Sequence, residues 1–367
     1  MALSKIDIGL TVVLVLKDRV DFTYRWMEYA NKVKMPFKII IVDGGKDERI
    51  EEVLASGKYY LNLNYQYIRH PYDKTYLEYY TKLASALEIV DTEYMVFADN
   101  DDFYIVDGLR KSVDFLINNP DYSSCRGEIG GFFQKNKNEF QFGISSRELF
   151  DIDSDTASER VLTHLSHYND SYYDVCKTEN RRISFNKIRD ISSSDLFITE
   201  MIDSCLTACF GKIKREKYLY LVRQNNSPGS SALTAEKEND TIGKMFVETW
   251  SHNINSFLTL VSEAISEVDH SKDNQIYLLK KGYRKLLSKA IIENLSREMP
   301  VISRFFISNS LRIDIVLPNG FFSFLHRKFY SMMCRVKYKN GVLSGFFSKR
   351  YWFYNDVLPI ANSLNKK

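Results

Sequence analysis

The sequence predicts an α/β fold: a Rossmann-like, mixed and mostly parallel sheet over residues 1–225, followed by a helical, basic and aromatic region over 226–367. Three observations carry that prediction. Runs of β-branched and other apolar residues alternate with helix-length stretches through the first hundred positions. A cluster of acids follows one of those runs immediately. Beyond a loop rich in Asn, Ser, Gly and Pro, the periodic segments repeat at helical spacing.

The apolar runs lie at 8–16 (IGLTVVLVL), 37–42 (FKIIIV), 63–68 (LNYQYI) and 94–98 (YMVFA). Between them, helix-like stretches occupy roughly 20–33, 47–56 and 74–89. In the last of these Tyr76, Tyr79, Tyr80, Leu83, Ala84 and Leu87 recur on one helical face. Strand and helix in this rhythm predict βαβ units, whose ligands bind at the carboxyl ends of strands. From 121 to 225 the pattern is mixed. "CRGEIGGFF" and "YLYLVR" read as strands, and helices are expected near 155–166 and 195–210, with Gly211 ending the second. "QNNSPGSSA" (224–232) is the clearest loop. After it, Phe246, Trp250, Ile254, Phe257, Val261 and Ile265 form one apolar stripe, and Ile276, Leu279, Tyr283, Leu286, Ala290 and Leu295 another.

Composition narrows the class. A hydrophobic content of 44% with 26% charge fits a globular chain, not a disordered one. Cys205 and Cys209 lie four apart without a C-x-x-C pair or a nearby histidine, so buried reduced thiols are expected, and with them a cytoplasmic location. Asp7 interrupts the N-terminal apolar run, and neither a basic flank nor a small-residue cleavage site accompanies it, which argues for a buried strand over a signal peptide. No stretch approaches the roughly 18 to 20 apolar residues of a membrane span.

"MVFADNDDF" (95–103) places Asp99, Asn100, Asp101 and Asp102 directly behind a strand. A polar turn capping a helix at 105–118 accounts for one or two of these acids. A calcium loop of the EF-hand kind is excluded, because its sixth position is Tyr104 and its twelfth Arg110. The third reading is D-x-D, Asp99 and Asp101, joining the diphosphate of a nucleotide in holding Mg2+ or Mn2+. Alone, D-x-D is common; at the carboxyl end of a strand it has the address of a site.

Together these segments resemble the family-2-like glycosyltransferases of GT-A fold, bacterial members above all, over roughly residues 7–225. The resemblance rests on "VLVLKDR", "IIIVDGG" and "YTKLASALEIVDTEYMVFADNDD". It implies that the loop with Leu16, Lys17 and Arg19 contacts a nucleotide-sugar donor, that Asp43 faces base and ribose, and that Asp99 and Asn100 bind the donor beside the metal held by Asp99 and Asp101. Many members have two acids where this chain has Asp43-Gly44, so one contact is missing at Gly44. The family's catalytic base is an acid at the start of a helix that ends in glycine about eleven residues on. "ITEMIDSCLTACFG" puts Glu200 there, with Gly211 at the matching distance and Asp195 as the second candidate.

Weaker features complete the reading. Arg223, at a strand end before the loop, is placed to clamp a phosphate. His164 and His167 find no third metal ligand and are expected to be solvated or capping, while Tyr172 and Tyr173 are candidates to stack on a sugar. Residues 300–367 hold 11 Lys and Arg against two acids, together with 14 aromatics, although the whole chain carries only +3. Clusters at Phe321, Phe322 and Phe324, at Phe346 and Phe347, and from Tyr351 to Tyr354 suit a lipid interface or a partner better than nucleic acid, unless this region is a buried subdomain with a basic surface.

The function expected is therefore transfer of a sugar from a nucleotide-sugar to a glycan, with inversion, on a lipid-linked acceptor at the inner face of the membrane. Two alternatives stand beside it: a metal-independent transferase using CMP-sugars, and a non-catalytic sugar-binding scaffold. A sugar nucleotidyltransferase is disfavoured, because "LVLKDRVDFTY" has no glycine-rich phosphate loop.

Overall fold

The computed structural model describes residues 9–136, 139–144, 149–191, 195–225, 248–271, 275–298, 336–339, 342–344 and 353–364. The predicted βαβ rhythm is present as β1 (Leu10–Leu16), α1 (Val20–Lys32), β2 (Lys38–Asp43), α2 (Glu48–Leu54), β3 (Tyr65–Arg69), α3 (Tyr76–Glu88) and β4 (Tyr94–Asp99). β1 is parallel to β2 on one side and to β4 on the other, with Leu16 level with Asp43 and Val15 level with Asp99. Three strands thus end within a residue of one another, at the acidic cluster.

The middles of these strands are apolar on both sides because both faces are covered. Val13, Val15, Ile40, Val42, Met95 and Phe97 point into one core with α3, and Val12, Leu14, Ile39, Ile41, Val96 and Ala98 into a second on the opposite face. α3 begins with a capping box in which Thr75 accepts from the Leu77 amide at 3.2 Å and Glu78 accepts from the Thr75 amide at 2.9 Å.

Beyond β4 the sheet turns antiparallel in most of its pairings. β5 (Asp102–Tyr104) is followed by α4 (Val106–Asn118), β6 (Tyr122–Asn136), β7 (Glu139–Ile144), α5 (Ala157–Ser166), β8 (Val175–Lys177), α6 (Thr178–Ile191), α7 (Leu196–Phe210) and β9 (Lys212–Asn225). β9 runs parallel to β6 and antiparallel to β5. α4 starts at Ile105 without a side-chain cap, so the acids before it do not serve as helix caps. Gly211 does end α7, but at φ 171, an extended and not a left-handed conformation. Glycine is needed there for close approach: a Cβ would fall 2.8 Å from the Asp121 carbonyl and the Ser123 amide.

The C-terminal part contributes α8 (Glu248–Asp269) and α9 (Gln275–Glu298), whose Phe257, Val261, Ala264, Ile265 and Leu279 join the core of α5 and α7. Asp269 reaches back to accept the Ala157 and Ser158 amides at 2.6 and 2.9 Å, offsetting the positive end of α5. This region is not purely helical. β10 (Val336–Lys339) and β11 (Val342–Ser344) extend the sheet beyond β7, and α10 (Phe353–Leu364) buries Val357, Ile360, Ala361 and Leu364 against Tyr29, Phe103, Phe132, Leu219 and Val222. Alternating Val, Lys and Tyr over 336–339 is too short a run to distinguish from helix in an aromatic background.

Phe246, Phe321, Phe322, Phe324, Phe346, Phe347 and the loop at 226–232 lie outside the described residues, as do the side chains of Tyr351 to Tyr354. Among the described residues no helix is long and apolar enough to cross a membrane. Cys125, Cys176, Cys205 and Cys209 are buried free thiols, as expected for the last two.

Ile360 is fully buried although it lies far along the chain from the strands it covers. Ile360→Ala should lower the unfolding free energy by about 2–5 kcal/mol, the usual range for such a truncation, in a single denaturant transition shared with the sheet. A separate early transition for α10 would show it to be an independent appendage.

Candidate active site

The loop after β1 carries two consecutive residues in the left-handed region, Asp18 at φ 55 and Arg19 at φ 60. Neither is glycine, so the turn is held by its surroundings. Asp18 accepts the Lys46 amide at 2.6 Å, and the Arg19 carbonyl accepts the Phe22 and Thr23 amides at 3.1 Å each, opening α1. The turn sends the Arg19 guanidinium back over the sheet edge, where Nη1 and Nη2 each donate to Asp101 Oδ2 at 3.1 Å.

Asp99, Asp101 and Asp102 come together, with one carboxylate oxygen from each within 4.8 Å of the others. Asn100 donates to Thr23 Oγ1 at 3.0 Å and ties the turn to α1. Asp99 accepts from the Tyr173 hydroxyl at 2.5 Å. Asp102 accepts from Arg223 Nε at 2.8 Å and from the Gln224 amide at 3.3 Å, a placement fixed by the pairing of β5 with β9. Arg223 also donates to the Tyr173 hydroxyl at 2.9 Å and lies over its ring at 4.4 Å. Burial raises the Asp99 carboxyl, and the Asp101 charge adds to it. Burial pushes Asp102 up to about 7 against the pull of Arg223.

Glu200, in the first turns of α7, lies within the field of this cluster. Burial pushes its pKa up to about 8, the charges of Asp170, Asp203 and Asp99 act in the same direction, and Arg223 opposes them. Asp195 serves as the α7 cap, its Oδ1 accepting the Ile198 amide at 3.1 Å.

On the β2 side, Asp43 is fully buried, and its oxygens accept from the Gly45 amide (2.8 Å), the Tyr67 hydroxyl (2.8 Å) and Arg69 Nη1 (2.9 Å). The Leu16 carbonyl accepts the Gly44 amide at 3.0 Å and Lys82 Nζ at 2.9 Å. The Lys17 and Lys46 ammonium groups approach the Tyr72 ring at 5.2 and 4.2 Å.

Several sequence expectations change here. Tyr172 and Tyr173 are not held ready for a sugar: Tyr172 stacks on Phe97 at 5.1 Å and shares a hydrogen bond with Tyr79, while Tyr173 orients Asp99. His164 is buried, not solvated, and burial drives its pKa down to about 3. His167 is the capping residue expected: it closes α5, with its ring Nδ1 3.2 Å from the Thr163 carbonyl and its ring stacked on Phe150 at 4.1 Å. Sequence reasoning also missed Asp102 as the anchor of Arg223. Only the register of β5 against β9 shows it, and a three-residue strand leaves no periodic signal.

Oxygen donors this crowded suit a hard cation such as Mg2+ or Mn2+, and Asp99 and Asp102 are both raised by burial and by the neighbouring Asp101 charge. Asp99 and Asp101 fit the part of metal ligands, with Asp102 beside them.

Residues 12–173 match the family model described as glycosyl transferase family 2. The match runs from β1 through Tyr173 and so takes in the acidic cluster of this chain. No curated protein matches it in sequence. Similar solved structures include TarS of S. aureus, at 14% identity and TM-score 0.45, covering 76% of this chain and 55% of that one. TarS 1–349 in complex with UDP-GlcNAc is similar at 14% identity and TM-score 0.45, over 76% and 89% of the two chains. The mannosyltransferase PcManGT from Pyrobaculum calidifontis, in complex with GDP-Man and Mn2+, is similar at 11% identity and TM-score 0.41, over 87% and 85%. The chain thus spans about half the length of the full TarS chain.

The raised Glu200 pKa has a thermodynamic consequence. The folded protein holds this proton more tightly than the unfolded chain, so the stability it contributes is full below the ordinary value of 4.5 and is lost as pH rises through about 8. Glu200→Gln, which cannot ionise, should therefore melt increasingly above wild type between those two pH values and match it at acid pH. Parallel melting curves across that range would detect a carboxyl that titrates normally.

Proposed function

We propose that the chain moves a sugar from a nucleotide-sugar donor to a hydroxyl of a glycan acceptor with inversion, Glu200 acting as the base and Asp99 and Asp101 as the donor-side carboxylates. The observation that carries this reading is convergence. Carboxylates from β4 and α7 share one electrostatic field at the carboxyl edge of the sheet, with Arg223 acting on both.

A departing nucleoside diphosphate gathers negative charge, and Arg19 and Arg223 stand beside the carboxylates where that charge would develop. Mn2+ or Mg2+ held by Asp99 and Asp101 would offset the same charge. From the α7 side, Glu200 takes the proton of the acceptor hydroxyl as its oxygen bonds to the anomeric carbon and the bond from that carbon to the phosphate oxygen breaks. A pKa near 8 suits a group that must take up this proton and later release it near neutrality. Asp195 caps α7 through one of its oxygens, which favours Glu200 for the role. Leu16 and Asp43 shape the donor wall through backbone and buried contacts, Asn100 fixes the turn, and Lys17 adds positive charge at its rim. The basic, aromatic residues of 300–367 extend the proposal to a lipid-linked surface glycan as acceptor, met at the inner face of the membrane.

Thermal stabilisation by UDP, GDP, dTDP, CMP and ADP, each with manganese and with EDTA, tests the donor side. One diphosphate should stabilise wild type with metal and fail with Asp101→Ala; stabilisation by CMP in EDTA would favour the metal-independent transferase, and silence from all five the scaffold. On the acceptor side, Glu200→Gln should lower kcat by roughly 10²- to 10⁴-fold while donor affinity holds. Unchanged turnover would remove Glu200 from the chemistry.

A further inference from the structure

We propose that Asp73 reads the donor nucleobase, accepting a hydrogen bond from the ring N–H of uracil, thymine or guanine, and so replaces from another loop the acid that the chain lacks at Gly44. The proposal rests on the nucleotide-sugar reading above. A Cβ at residue 44 would overlap the carboxyl carbon and both oxygens of Asp73, so the space of a side chain at the end of β2 is filled by this carboxylate. Asp73 comes from the loop between β3 and α3, anchored by its own amide on the Gly44 carbonyl at 2.9 Å.

The carboxylate is 1% exposed and only half satisfied. Oδ2 takes Lys82 Nζ, whose other hydrogen bond goes to the Leu16 carbonyl at the end of β1, whereas Oδ1 has no hydrogen-bond partner. A buried acceptor without a donor is costly, and a ligand N–H would remove that cost. Asp43 has no such orphaned oxygen, since Gly45 donates to one and Tyr67 and Arg69 to the other.

Placement supports the assignment. Glu200 takes the acceptor side of the cluster, so a nucleoside whose diphosphate lies at Asp99 and Asp101 extends the other way, over β1 towards β2. β1 lies between β4 and β2, and two strand spacings amount to roughly 9–10 Å, within reach of a base from its diphosphate. An ionised carboxylate only accepts. At the matching ring position uracil, thymine and guanine carry N–H, whereas cytosine and adenine carry a lone pair.

Calorimetric titration of the full chain with UDP, dTDP, GDP, CDP and ADP in the presence of Mn2+ is the first measurement, followed by the preferred nucleotide methylated at its ring nitrogen (N3-methyl for UDP or dTDP, N1-methyl for GDP). The proposal expects UDP, dTDP or GDP to bind best and methylation to weaken it tenfold or more. Methylated and parent nucleotides binding alike, or CDP or ADP binding best, would overturn it while leaving the transferase reading intact. If none of the five binds, the transferase reading falls first and this proposal with it. Asp73→Asn should lose the preference, and the exchange Gly44→Asp with Asp73→Gly should restore it. Should the single variant not fold, the methylation comparison on wild type still decides.

Discussion

Three carboxylates at the end of one strand can persist only if positive charge is brought to them, and much of the molecule does that. Arg19 arrives through a left-handed turn, Arg223 through the pairing of β9 with β5, and Tyr173 lends its hydroxyl and the face of its ring. None of the three is near Asp99 in sequence. The site is therefore a product of tertiary structure, and strands from opposite halves of the sheet must register correctly before the charge balances.

The same balance acts on Glu200. A carboxylate in this neighbourhood is pushed towards its neutral form by the acids and pulled back by Arg223. Anything that engages Arg223 or shields Asp99 changes how readily Glu200 takes a proton. Under the function proposed above, donor binding and the strength of Glu200 as a base would be coupled through one guanidinium, with no moving part required.

β1, β2 and β4 were legible in the sequence because they are buried on both faces and read as apolar runs, and capping signals such as Thr75 and Glu78 mark the helix between β3 and β4. D-x-D was legible because it ends one of those runs. What escaped has a common physical cause. β5 and β8 are three residues long, and α6 buries Thr178, Arg181 and Ser184 beside Phe185 and Ile188, with Arg181 paired to Asp203 of α7, so polar side chains mask the helical period. Tyr173 and Asp102 depend on register, which no local pattern encodes. Gly44 read as a missing contact because the side chain filling its space comes from twenty-nine residues away.

α10 packs on α1, which follows the Arg19 turn, and on β9, which carries Arg223. Tyr29 and Ile360 meet in one core although 331 positions separate them. During synthesis the emerging sheet must wait, with Phe103, Phe132 and Val222 of its later strands lacking the cover of α10, until the last described helix leaves the ribosome. Such a long-range closure is slow and leaves apolar surface open to wrong partners. A chain cut short before α10 would make a sheet that no longer hides its third core.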